Sequence, residues 1–375
     1  MMNIVRPAFI LLAAALAGCS GSLGTETSGP GIAEPTLAFT DKTKESGVIF
    51  THQPTRTEKK WLPEIMGSGV AVVDIDRDGD ADILLVNSGA VGVQERTTLT
   101  SNRLFVNNGK GKFTDETDKW GFKGSGYGQG VAVGDFDNDG WHDVLLTNLE
   151  GDNRLLRNTG ERFEDVSEAA NLRKNGKWAT SAGFLDVDGD GDLDLYVVRY
   201  VEFSVNDDRP AFRNRVPIYP TPVLFTPISD QILINDGKGR FTDESVRFGL
   251  TNAPRKGLAL ANGDFDLDGR ADIYVANDTE ANQLWINQPS GSFREICGIA
   301  GCAYSDTGRG EGSMGADLSD IDGNGRPDVA VTNFQDEVTS IYSQTAPLLF
   351  EEVADRVGIG RSSRARLSFG IDLFD

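Results

Sequence analysis

Residues 186–194 read DVDGDGDLD, which places Asp186, Asp188, Asp190, Asp192 and Asp194 within nine positions. Like charges so close repel, so the stretch calls for a compensating cation. The pattern Asp-x-Asp-x-Asp/Asn-Gly-x-x-Asp recurs as DIDRDGDAD at 74–82, DFDNDGWHD at 135–143, DFDLDGRAD at 264–272 and DIDGNGRPD at 320–328. The first aspartates of the five copies lie 61, 51, 78 and 56 residues apart. A period of about 55 residues signals a repeat architecture. The longest interval is read as one repeat with an insertion of roughly twenty residues, placed in the Pro-rich piece 206–229.

A second motif follows the loops in phase: NRLFVNNGKGKFTDET from Asn102, NRLLRNTGERFEDVS from Asn153, QILINDGKGRFTDES from Gln231 and NQLWINQPSGSFREI from Asn282. Apolar alternation, an Asn/Gly turn and an aromatic-led second run describe a β-hairpin. Short β-rich runs also flank each loop, as in Gly69–Val73 before and Ile83–Val86 after. Four strands per unit, repeated, give an all-β fold, a β-propeller of four-stranded blades. A β-helix also binds calcium in its turns, but its repeats are usually far shorter.

Five residues before the first aspartates stand Gly69, Gly130, Ser181, Ala259 and Gly315, and three before stand Ala71, Ala132, Gly183 and Ala261, with Asp317 as the exception. Side chains two apart share a strand face. Small residues there are what crowding around a central axis requires, so this strand is expected to be innermost.

Each acidic loop has the layout of an EF-hand-type calcium loop in its first seven positions: carboxylates at 1, 3 and 5, glycine at 6, a backbone carbonyl at 7. The expected side-chain ligands are Asp74, Asp76, Asp78 and Asp82; Asp135, Asp137, Asp139 and Asp143; Asp186, Asp188, Asp190 and Asp194; Asp264, Asp266, Asp268 and Asp272; and Asp320, Asp322, Asn324 and Asp328. Asp80, Trp141, Asp192, Arg270 and Arg326 are expected to lend only a carbonyl, which explains their diversity. Oxygen ligands without His or Cys select Ca²⁺ over zinc or copper, giving about five sites by the count of loops. All ligands of a site come from one short segment, so the ion is expected to stabilise each blade and not to catalyse.

The formal net charge of −21 disfavours a nucleic-acid partner. The apolar run Ala8–Ala17 after Arg6 is too short to span a bilayer and fits an export signal. Leu16-Ala17-Gly18-Cys19 resembles the lipobox of bacterial lipoproteins, which implies cleavage before Cys19 and lipid on its sulfur; an ordinary secretory signal is the alternative. The expected organisation is therefore a leader at 1–18, a flexible tether at 19–35 and a propeller over 36–375, anchored to the outer membrane or cell surface only through its lipid. In an exported compartment Cys297 and Cys302 can form a local disulfide, with two free thiols as the alternative, since spacing does not supply a Cα separation.

The glycine-led strand, the acidic loop and the Asn-x-Leu-x-x-Asn hairpin together resemble the FG-GAP or VCBS repeat of integrin α-subunit propellers. WLPEIMGSGVAVVDIDRDGDADILLVN from Trp61 and GRGEGSMGADLSDIDGNGRPDVAVTNF from Gly308 resemble more narrowly the cartilage acidic protein family, whose bacterial members are exported and often end in a small UnbV/ASPIC module. The resemblance implies a seven-bladed, calcium-binding propeller used for interaction or adhesion. Here the final LSFGIDLFD matches an inner strand and the first aspartate of a further loop, and LAFTDKTKESGV from Leu37 matches an outer strand. Five full blades, a partial sixth and a C-terminal truncation are expected.

Three functional classes follow: a module that binds a protein or glycan, a purely structural envelope protein, or a calcium-dependent enzyme of the polysaccharide lyase or dehydratase kind. With two histidines, His52 and His142, and no nucleophile elbow, zinc spacing or phosphate loop, catalysis is not expected. Among the tryptophans, Trp120 and Trp285 occupy packing places in the repeat, while Trp61 and Trp178 have no repeat role. Eight residues before the first aspartates stand Met66, Tyr127, Trp178 and Lys256, which an innermost strand would gather at one mouth of the channel as a ligand site.

Overall fold

The computed structural model describes residues 39–374, apart from 94, 96, 150–152, 174, 175, 207 and 208. The expected leader, tether and Cys19 lie outside the described residues. Five antiparallel sheets of four strands follow one another along the chain. Blade 1 comprises Val70–Val73, Asp82–Leu85, Arg103–Asn107 and Phe113–Asp115; blade 2 comprises Gly128–Gly134, Asp143–Asn148, Arg154–Asn158 and Phe163–Asp165. Blade 3 comprises Ala179–Leu185, Asp194–Arg199, Gln231–Asn235 and Phe241–Asp243. Blade 4 comprises Gly257–Gly263, Asp272–Glu280, Gln283–Gln288 and Ser292–Glu295, with Glu311–Gly312 added against its second strand. Blade 5 comprises Gly315–Ser319, Asp328–Thr332, Ser340–Ala346 and Leu349–Glu352.

The first strands of successive blades lie side by side, as the small-residue pattern requires. Crowding there is severe at Gly130, where a Cβ would come within 2.5 Å of the Thr180 carbonyl oxygen of the next blade. Between blades the core is apolar: Leu84, Leu104, Trp120 and Phe122 of blade 1 pack with Val144, Leu156 and Phe163 of blade 2. Trp120 and Trp285 are buried packing residues, as their repeat places predict.

In blades 2 to 5 the third strand ends in a side-chain amide that crosses to the preceding blade. Asn158 Nδ2 donates to the Ile75 carbonyl at 2.8 Å, Asn235 to Phe136 at 2.8 Å, Asn287 to Val187 at 2.7 Å and Gln344 Nε2 to Phe265 at 3.3 Å. All four acceptors are the second residue of the preceding acidic loop. Three of these amides donate a second bond to their own loop: Asn158 to His142, Asn235 to Leu193 and Gln344 to Pro327.

The insertion after blade 3's second strand forms a hairpin, Ala211–Arg213 paired with Val216–Ile218, whose residues 212–218 are all exposed. No strand forms at 39–42 or at 366–374. The helical turn Thr43–Ser46 with its left-handed Gly47 cap nevertheless repeats the turn Thr117–Trp120 with Gly121. Residues near the end of the chain lie against blade 5, where Thr332 Oγ1 donates to the Phe369 carbonyl and the Leu373 amide to Asp317, each at 2.6 Å.

Removing a buried amide leaves carbonyls of two blades unpaired, each costing about 1–3 kcal/mol. Asn235→Ala is therefore expected to lower the unfolding free energy in urea by about 2–4 kcal/mol. The exposed outer-strand change Thr242→Ala is expected to stay within about 0.5 kcal/mol, and equal effects of the two would count against the bridge.

Candidate metal loops and channel mouth

The acidic loops join the first and second strands of each blade and share one hydrogen-bond plan. The carboxylate at position 1 accepts the N–H of the glycine at position 6, at 3.0 Å in Asp74, 2.9 Å in Asp135, 3.1 Å in Asp186 and 2.8 Å in both Asp264 and Asp320. The carboxylate at position 9 accepts two backbone N–H groups. In Asp143 these are Phe136 at 3.1 Å and Asn158 at 2.7 Å; in Asp194 they are Val187 at 2.9 Å and Asn235 at 2.8 Å. Asp82, Asp272 and Asp328 repeat the arrangement. The position-9 residue thus ties the loop's start to the third strand.

Glycine at position 6 is required because φ there lies between 83° and 96° in all five loops. Position 4 is also left-handed, with φ of 60° at Arg77, 57° at Asn138, 78° at Gly189, 61° at Leu267 and 73° at Gly323. The sequence reading missed this second constraint. The two glycines of DVDGDGDLD were its visible trace.

In every loop three carboxylates bring an oxygen each within 4.8 Å of one another. The sets are Asp74, Asp76 and Asp78 in the first loop, then positions 1, 3 and 9: Asp135, Asp137 and Asp143; Asp186, Asp188 and Asp194; Asp264, Asp266 and Asp272; Asp320, Asp322 and Asp328. Of the position-5 residues, Asp139 and Asp268 instead face Arg157 and Arg270. Asp192 accepts a bond from Asn138 of the neighbouring loop at 2.7 Å, and Trp141 lies under Arg77 at 5.1 Å, so side chains at position 7 join loops of adjacent blades.

The donor set fits a hard divalent cation. Oxygen Oδ1 of Asp76 and of Asp137 is buried with no hydrogen-bond partner. Burial pushes Asp82 and Asp143 up to about 7 and Asp194 and Asp272 up to about 6, against the pull of their backbone donors. Burial likewise raises Asp76, Asp137, Asp188 and Asp266. A cation among these groups would favour their charged forms and take up the free oxygens.

A family model for the FG-GAP-like repeat matches residues 74–146, 135–197 and 264–331, half of the chain and all five acidic loops complete, with all but the last residues of the second strand of blade 3. The chain belongs to the FG-GAP-like repeat family. It is similar to cartilage acidic protein 1 from Mus musculus, 23% identical over 290 residues, and from Homo sapiens, 21% identical over 290 residues. Each match covers 62% of this chain and 44% or 43% of the relative, so the chain spans less than half the length of those proteins. The solved biofilm matrix protein Bap1 of V. cholerae aligns with 76% of this chain and 40% of its own, at 14% identity and a TM-score of 0.39.

At the opposite end of the FG-GAP blades' inner strands, a cavity of about 340 Å³ runs between residues of all five blades, among them Met66, Gln129, Thr180, Leu258 and Met314. Of the four residues expected to form a ligand site, Met66 alone lines this cavity, and Tyr127 and Trp178 share an apolar cluster with its lining residues Met66, Leu258 and Met314. Met66 borders the cavity, whereas Tyr127 and Trp178 are buried in an apolar cluster with Leu62, Val91, Tyr200 and Phe225. Tyr127 Oη donates to the Pro63 carbonyl at 2.8 Å, and Trp178 Nε1 to Gln129 at 3.0 Å. Lys256 is buried and paired with Glu280. These side chains close the channel end and present no open aromatic surface, because irregular segments outside the repeat cover them. Trp61 packs on the same cluster.

Beside Lys256 lies a carboxylate group that the repeat pattern did not reveal. Asp278 accepts a bond from Tyr200 Oη at 2.5 Å, and Glu311 accepts from Asn333 Nδ2 and Ser340 Oγ, both at 3.1 Å. Burial raises Asp278 to about 6 and Glu311 to about 7. A carboxyl raised on folding favours the folded state below its unfolded value, and that contribution fades as pH rises through the folded value. Between about pH 4.5 and 7 Glu311 therefore withdraws stability. Glu311→Gln is expected to raise the unfolding midpoint at pH 8 by the equivalent of about 1–2 kcal/mol and to change little at pH 4.5. Equal shifts at both pH values in thermal scans would contradict this assignment.

Proposed function

We propose that this FG-GAP-like chain is an exported, calcium-binding β-propeller lipoprotein that serves as a non-catalytic interaction or adhesion module, with one Ca²⁺ stabilising each acidic loop. The observation that carries the calcium reading is the fivefold recurrence of three converging carboxylates, two of the loops keeping a buried, partnerless oxygen. The ion would be held by positions 1, 3 and 9, or 1, 3 and 5 in the first loop. What it supplies is charge compensation in a segment that otherwise concentrates carboxylates. Export and the lipid anchor rest on the LAGC sequence at 16–19 and the apolar run before it.

The interaction reading is supported by the blade 3 insertion. Phe212 and Val216 are 61% and 60% exposed and flank Arg213 and Arg215 on a projecting hairpin, in a chain whose net charge is −21. A hairpin of two strands gains little stability alone in water, and exposed apolar groups ringed by polar ones mark contact surfaces. The partner would be a protein or a glycan.

A ligand that binds only the folded state raises its stability, by about 2.7 kcal/mol per site at a hundredfold excess over the dissociation constant. Thermal unfolding of the full chain is therefore expected to shift upward with calcium relative to chelator, and Asp188→Asn to give up part of the shift together with one bound ion. No shift at saturating calcium would sink the calcium reading.

For the interaction reading, the full chain is immobilised and used to capture components of an envelope extract, beside the double variant Phe212→Ser, Val216→Ser. Wild type is expected to retain a protein or glycan that the variant releases; equal retention, or none, counts against a role for the hairpin.

A further inference from the structure

All five blades end in the same backbone clamp. The residue four after the phenylalanine of the outer strand accepts, through its carbonyl, the N–H of the residue five places on: Phe122 to Thr117 at 3.0 Å, Leu172 to Ser167 at 2.9 Å, Leu250 to Ser245 at 3.1 Å, Cys302 to Cys297 at 3.1 Å and Ile359 to Ala354 at 2.9 Å. The clamp brings the side chains at its two ends together. In blades 1 to 3 the first is a hydroxyl that bonds the third strand, as Thr117 Oγ1 does to the Leu104 amide at 3.0 Å, and the second is a buried Phe or Leu. Blade 4 alone has cysteine at both places, and the Leu284 amide there turns to Glu295 instead. The two sulfurs are 2.8 Å apart, and both residues are fully buried in the apolar cluster between blades 4 and 5.

We propose that Cys297 and Cys302, which are thiols in this structure, are joined by a disulfide in the functional protein. The same turn brings the two side chains together in blades that have no cysteine, so the bond needs no change of backbone course. Formation requires a disulfide oxidant: one thiolate attacks a sulfur of the oxidant and releases a thiol, and the second thiolate then attacks the mixed disulfide and releases the other thiol. Two protons leave the protein, and its two electrons reduce the oxidant. Exchange needs an accessible thiolate. Burial, the hydrogen bond to Cys302 and the nearby Cys302 and Glu295 charges raise the Cys297 thiol in the folded protein. Oxidation is therefore placed before the blade closes, and the folded bond is shielded from reductants. The bond fixes the turn that supports Tyr274, whose Oη donates to the Cys302 carbonyl at 2.9 Å, and Tyr342 of the next blade.

The test uses the full chain refolded with oxidised glutathione, then unfolded without reductant and alkylated. Trypsin releases both cysteines in one peptide, residues 295–309. The expected peptide lacks two hydrogens and carries no alkyl group, and it gains two alkyl groups after reduction. Two alkyl groups without reduction would overturn the proposal. As a second measurement, the variant Cys297→Ser, Cys302→Leu restores the pair used in blades 2 and 3. Its melting temperature is expected to be the same whether or not reductant is present during refolding, while wild type melts lower when refolded reduced. A wild type equally indifferent to reductant would refute the bond as a structural staple.

Discussion

One buried amide per blade, at the end of the third strand, ties the propeller together. Asn158, Asn235, Asn287 and Gln344 each reach the preceding acidic loop. The backbone N–H of the same residue is the donor held by the closing aspartate of its own loop. A single position therefore fixes two loops at once, and an amide suits it because it offers donors without a charge to bury. Apolar packing between blades is stronger in total but tolerates sliding, since it is non-directional. The amide sets the angular step from blade to blade. A disturbance of one acidic loop is consequently felt by the next blade as well as its own.

This explains why the carboxylates are concentrated where they are. The closing aspartate is buried because its two backbone donors lie at the root of the loop, between strands, and burial opposes its charge. Loop folding and cation affinity are then one problem: the hydrogen bonds shape the site, and a cation would relieve what burial imposes. In DVDGDGDLD, Asp186 and Asp194 hold backbone as well as facing Asp188, so the aspartates are members of the frame before they are ligands. An Asp→Asn change at position 9 would keep an acceptor yet lose charge. One at position 3 removes chiefly charge, which is why position 3 is the cleaner probe of the ion.

The repeat register made the blade order, the inner strand and the five loops legible, because each depends on contacts within about 30 residues that recur in phase. Three features were not legible for separate reasons. The left-handed position 4 is filled by Arg77, Asn138, Gly189, Leu267 and Gly323, so backbone conformation is conserved among the loops while residue identity is not. The inter-blade amides pair residues 79 to 100 apart, and the asparagine looked like a turn former. Tyr127 and Trp178 sit at the channel end as the register implies, but the residues that bury them, such as Leu62, Val91 and Phe225, come from segments with no repeat counterpart.

That last point separates architecture from function. Features present in every blade, such as the loop, the amide and the clamp, answer the demands of closing blade on blade, and a partner could not read one blade from another by them. Features present once break the pseudo-symmetry: the cysteine pair of blade 4, the Asp278 and Glu311 carboxylates beside Glu311–Gly312, and the hairpin inserted in blade 3. Two of these three lie buried between blades, where they act on stability. Of the three, the hairpin is the one that places its side chains in solvent, Phe212, Arg213, Arg215 and Val216 among them. Specific recognition needs a surface that differs from its surroundings, and the inserted hairpin differs in polarity and in sign of charge from the acidic loops at the other end of the blades.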